Sequence, residues 1–141
     1  MKANANRAYA SNKFEGMSPE AIVLALFDGA LHAMDRARMA VDEDDKRVLG
    51  EQLSKAMAII GELQASLDKE RGGEISERLD ALYGYVIRGL LEANVQSDGE
   101  RIVEMHGHIK TVRDGWAEMV EQVAQAKSRE AAPPSPSGGY V

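Results

Sequence analysis

Apolar positions recur every three or four residues through four successive stretches between Ser18 and about Ala126, the spacing of amphipathic α-helices. In the first, Ile22, Val23, Leu24, Leu26, Phe27, Ala30, Leu31, Met34, Ala37 and Val41 cover roughly 200° when wound at the helical step. The second carries Leu49, Leu53, Met57, Ile60, Leu63 and Leu67. In the third, Ile75, Leu79, Leu82, Tyr83, Val86, Ile87, Leu90 and Leu91 cover roughly 180° on the same winding. The fourth is narrower: Ile102, Met105, Ile109, Val112, Trp116, Met119 and Val123 fall inside roughly 100°, the width a helix needs to face a core. The arcs of the first three exceed what a four-helix core requires. Small proteins rarely leave so much apolar surface wet, so the pattern asks for a partner, itself helical, to cover it.

Local signals place the helix ends. Ser18-Pro19-Glu20 supplies a hydroxyl cap, a proline at the first helical position and an acid in the first turn. The first helix is predicted to stop at the acidic run Asp42 to Asp45, where Asp44 or Asp45 caps the second. Gly72-Gly73 ends the second, with Lys69 and Arg71 in its last turn, and the third runs from Glu74 to about Val95. Ser97-Asp98-Gly99-Glu100 has the pattern of a capping box that opens the fourth. Short connections make neighbours antiparallel. The predicted fold is therefore all-α: an antiparallel up-down four-helix bundle over residues 18–127, with a flexible N-terminal arm (1–17) and a disordered C-terminal tail (128–141). The tail's run of Ala, Pro, Ser and Gly cannot bury a core. The arm carries two isolated aromatics, Tyr9 and Phe14.

Gly29, Gly61, Gly84, Gly89, Gly107 and Gly115 fall inside helical patterns, each costing about 1 kcal/mol relative to Ala. Gly61, Gly84, Gly107 and Gly115 wind away from the core stripe. Two readings stand: drift in a marginally stable protein, or helices kept bare and pliable for a partner's close approach.

Composition narrows the function. A chain of 141 residues makes one domain. The net charge is −6, and the 17 Lys and Arg never form a block longer than two, which argues against nucleic-acid binding. With no cysteine there are no disulfides, thiolate zinc sites or Cys nucleophiles, in keeping with a reducing compartment. Met1 to Met17 lacks the apolar stretch of a secretory signal, and the apolar run that includes Ala21 to Leu26 is far too short to span a membrane. The expectation is a soluble, cytoplasmic protein.

Reaction chemistry finds no footing. Bundle di-iron centres take a Glu-x-x-His pair from two helices and a Glu from each of the others. Here Glu104 and His108 are four apart, His106 winds to the edge of the core stripe, and His32 has no Glu three or four residues before it. No nucleophile elbow and no phosphate-cradling loop is present, and Asp28 lies off the apolar arc as a structural residue. The acidic run lacks the alternation of a calcium loop. Neither an enzyme nor a metal or other cofactor is expected.

The motifs resemble a family. Ser18-Pro19-Glu20 followed by Leu26-Phe27-Asp28-Gly29-Ala30 is similar to the opening of the FliS family of flagellar secretion chaperones. Leu53-Ser54-Lys55-Ala56, Ile59-Ile60 and Leu67-Asp68 continue the likeness. It is strongest at Gly72-Gly73-Glu74-Ile75, Leu82-Tyr83-Gly84-Tyr85-Val86-Ile87-Arg88 and Leu91-Glu92-Ala93-Asn94, with Trp116 where the family often has one. The resemblance implies a helical bundle that binds the C-terminal segment of flagellin in the cytoplasm. That segment is disordered alone and folds into helices wrapped around the chaperone. Premature polymerisation is blocked, and flagellin is presented to the flagellar export apparatus, which implies contact with an export-gate component. Tyr9 stands for the family's Tyr before Ser-Pro, at a shorter spacing, and the resemblance implies that Tyr9 and Phe14 lie on the flagellin-binding surface of the free chain.

If the core takes the centres of the arcs, a partner takes their edges. That assigns Leu24 and Leu31 on the first helix, Ile59 and Leu63 on the second, and Ile87 and Leu91 on the third. Asn94 follows on the same side with an amide to offer a partner's backbone, and Tyr83 and Tyr85 are ambiguous between core and contact. Each position also suits a seam between helices. Two other occupants fit the same surplus: a different helical export client, or a second copy of the chain in a self-associating homodimer.

Overall fold

The computed structural model describes residues 16–131; the expectations for Tyr9, Phe14 and residues 132–141 lie outside them. Four helices follow one another: α1 (Pro19–Asp42), α2 (Lys46–Ala65), α3 (Lys69–Gln96) and α4 (Gly99–Ala131). α1 packs on α2, α2 on α3, α3 on α4, and α4 closes the ring on α1. With connections this short, the arrangement is the up-down bundle that the periodicity implies.

The core is the centre of each arc. Phe27, Ala30, Met34 and Ala37 of α1 meet Leu49, Leu53, Ala56 and Ile60 of α2, Val86, Leu90 and Ala93 of α3, and Ile102, Met105 and Ile109 of α4. Alanine on α1 against leucine and isoleucine on α2 lets these two helices interdigitate closely. At Gly89 an added Cβ would run into the Met105 side chain, so this glycine serves core packing between α3 and α4. Gly61, Gly107 and Gly115 have open space where a Cβ would go, as their outward winding requires.

The caps follow the sequence at the start of α1 and α2. Ser18 Oγ accepts the Ala21 amide and Asp45 Oδ1 the Val48 amide, each at 3.1 Å. Elsewhere the ends differ from expectation. α2 stops at Ala65, not at Gly72-Gly73, because Ser66 turns the chain and Asp68 accepts the Arg71 amide at 3.1 Å, capping a new turn. Lys69 and Arg71 thus open α3. Asp98, not Ser97, caps α4, taking the Arg101 amide at 3.1 Å. Ser97 sits at φ 51°, the left-handed residue that ends α3. α4 runs to Ala131 rather than to about Ala126, so the expected boundary at 127 falls inside it. Residues 117 to 132 hold neither glycine nor proline, and Pro133 is the first breaker.

Candidate functional site

The surplus apolar surface collects along the seams of the bundle. Between α2 and α3, Gln64 donates to the main-chain carbonyl and the carboxylate of Asp80 at 3.2 and 2.9 Å. The amide oxygen of Asn94 lies 3.9 Å from where a Gly50 Cβ would stand. Asp80, Gly84, Ile87, Leu91 and Asn94 are spaced at four, seven, eleven and fourteen residues, which puts all five on the α3 face bordering α2. Gly50, Met57, Gly61 and Gln64 repeat the spacing on α2. Ile87 and Met57 are half-buried against the core, Leu91 is 51% exposed, and Val95, one turn further on, is 85% exposed. Leu91 and Val95 make the outer lip of this seam apolar. Gly61 is bare on the α2 side, while Gly84 on α3 is covered by the Arg88 guanidinium and the Gln64 amide, 3.4 and 3.8 Å from where its Cβ would stand. The hydrogen bond from Gln64, and next that from Lys69, hold the Asp80 carboxyl below its ordinary range.

Leu24 and Leu31 lie elsewhere. They share one edge of α1 with Asp28 and Asp35, and those carboxylates reach α4. Asp28 bonds Arg113 at 2.8 Å, and Asp35 lies 3.2 Å from Nε2 of His106. Asp28 thus has the structural role its position off the arc predicts. Ile59 belongs to a third seam: its Cδ1 is 3.4 Å from the position of a Cβ on Gly29. In a ring ordered α1 to α4, the α1/α4 and α2/α3 seams are on opposite sides. The structure therefore brings Ile87, Leu91 and Asn94 together and separates them from Leu24, Leu31 and Ile59.

Two of the expected contact residues belong to the core. Leu63 and Tyr83 are 2% and 3% exposed and pack with Ile60 and Val86 in the hydrophobic cluster. Burial pushes the Tyr83 phenol up to about 12. Tyr85 is the exposed member of its pair, edge-on to His108 at 5.7 Å with the Arg101 guanidinium 5.8 Å from its ring centre. Val95 and Val103 were missed because they fall outside the arcs; a single valine past a stripe gives no periodic signal. Glu104 pairs with Arg101 at 3.0 Å. Among the described residues no group of three His, Asp or Glu side chains could hold a metal ion, and no helix is long and apolar enough to cross a membrane. An open cleft of about 630 Å³ at the end of the bundle, between Arg38, Asp42, Asp98 and Val103, includes none of the expected contact residues.

Four helices packed in a ring, with half-buried apolar side chains along their seams, define an all-α up-down bundle. The sequence profile described as "Flagellar protein FliS" matches residues 1–123. A flagellar secretion chaperone FliS from Salmonella typhimurium is 39% identical over 132 residues, covering 90% of this chain and 98% of its own. Those of Escherichia coli and Bacillus subtilis are 36% and 32% identical, over 82% and 84% of this chain and 89% and 87% of theirs. The chain belongs to the FliS family of flagellar secretion chaperones, a family of chaperones and not of enzymes.

Proposed function

We propose that this protein binds the C-terminal segment of flagellin in the cytoplasm, keeps it from polymerising and hands it to the flagellar export apparatus. The observation that carries the reading is the apolar lip of the α2/α3 seam, where Leu91 and Val95 stand exposed beside half-buried Ile87 and Met57. An amphipathic helix laid there would bury its apolar face, as in helix-in-groove recognition. Leu24 and Leu31 on the opposite seam favour a client long enough to pass around the bundle. Ordering such a segment costs ~2–5 kcal/mol, so the affinity must come from extended apolar burial.

The test is calorimetric titration with the last ~40–60 residues of the same organism's flagellin at several temperatures. Binding tighter than about −8 kcal/mol with a strongly negative heat-capacity change supports the reading. A folded monomer that does not bind would send the search to another export client. A size that grows with concentration would make the occupant a second copy.

A further inference from the structure

α3 is not one continuous helix. Asp68 caps a single turn, Lys69 to Gly72, and at Gly73 the backbone turns to φ 52°, ψ −127°, a conformation open to glycine alone. The helix proper begins beyond it, at Glu74. The turn folds back on that beginning: the Asp68 carbonyl accepts both the Gly72 amide at 2.7 Å and the Ser76 hydroxyl at 3.0 Å. Ser76 is 6% exposed, and a Cβ on Gly72 would collide with it. From outside, Asp80 fastens the assembly. One of its carboxylate oxygens takes the Gln64 amide of α2 at 2.9 Å and the other lies 3.2 Å from the Lys69 ammonium. The end of α2, the extra turn and the body of α3 meet at this one side chain.

Little apolar burial secures the segment. Lys69, Glu70, Arg71 and Gly73 are exposed, and Leu67 alone of residues 66–73 packs against the core. Segments held mainly by exposed polar contacts are the first to open in a native protein. The segment meets the α2/α3 seam at Asp80, which lies two helical turns before Ile87 on the stripe that also holds Gly84 and Leu91.

We propose that residues 66–73 are a hinged flap, pivoting at Gly73 and latched by Asp80, which closes one end of the α2/α3 seam and swings aside to admit a helical segment. The proposal rests on the reading of that seam as the client surface. With the flap open, Asp80 loses the Lys69 ammonium, which frees one carboxylate oxygen at the end of the seam as a partner for a client's backbone amides.

The flap and its gating role are tested separately on the full chain. Hydrogen exchange read by mass spectrometry compares the unmodified protein with Asp80→Ala, which removes the latch, and Gly73→Ala, which strains the closed hinge. Amides of residues 67–76 should exchange at least tenfold faster in both variants, while those of Phe27 to Ala37 and Ile102 to Ile109 keep their rates. Unchanged exchange, or equal acceleration throughout the bundle, would overturn the flap. Stopped-flow mixing with the flagellin C-terminal segment then reads the gate: Asp80→Ala should associate several-fold faster. Equal rates would overturn the gating role. If the unmodified chain does not bind this segment, the client reading fails and the gate with it, and the exchange contrast still decides whether the flap exists.

Discussion

Trp116 ties α4 to the first turn of α1, its indole N–H donating to the main-chain carbonyl of Glu20 at 2.9 Å. This bond fixes where the longest helix meets the start of the bundle. Trp116→Phe keeps most of the ring and loses the bond, so the bundle should weaken by about 1 kcal/mol. Trp116 is the chain's one tryptophan, so urea unfolding of both proteins is followed by circular dichroism and not by fluorescence. An unchanged midpoint would show that the bond contributes nothing net.

Leu90 and Leu91 are adjacent in sequence and opposite in role. Leu90 is fully buried, and Leu90→Ala should cost about 2–5 kcal/mol of stability. Leu91→Glu should leave the unfolding midpoint within ~0.5 kcal/mol and lower flagellin affinity at least tenfold in calorimetry. Loss of fold in Leu91→Glu would place that side chain in the core.

The glycines divide by environment. Gly61→Ala fills open space in a helix interior and should stabilise the bundle by about 1 kcal/mol. Gly89→Ala gains the same propensity but presses on Met105 in a packed core, where overfilling costs ~1–3 kcal/mol. It should come out destabilising by about 1 kcal/mol net. Thermal unfolding of the two variants, read side by side, gives the opposite signs directly.

Tyr83 predicts an alkaline limit. Burial raises its phenol from 10.0 to about 12 in the folded chain. Between those values the unfolded chain has lost the proton that the folded chain keeps, so stability falls as pH rises. The contribution is complete below pH 10 and drains away as pH approaches 12, by at most about 1.4 kcal/mol per pH unit. Tyr83→Phe should flatten that part of the curve in urea titrations between pH 9 and 11.5. An equally steep fall in the variant would assign the alkaline loss to other groups.

Much of this was legible along the chain. The period of the apolar residues gave four helices, and the centres of the arcs gave the core, because a helix can bury only the side it turns to its neighbours. Ser18, Asp45 and Pro19 marked their helix starts by chemistry confined to one turn. The Gly72-Gly73 pair was seen and misplaced. It kinks the chain near the start of α3, and the backbone at Gly73 together with the Ser76 bond to the Asp68 carbonyl shows it. Ser97 and Asp98 are both good caps by type, and the left-handed backbone at Ser97 decided between them.

The sequence by itself determined the helical class, the up-down order and the excess of apolar surface, since these depend on spacing and on short connections. Which seam each edge residue borders was decided by the tertiary structure alone. Winding a helix locates a side chain about that helix's own axis and says nothing of which neighbour stands beside it. That is why Leu63 and Tyr83 turned out to be core, and why Leu24 and Leu91, alike as edge positions, lie on opposite sides of the bundle.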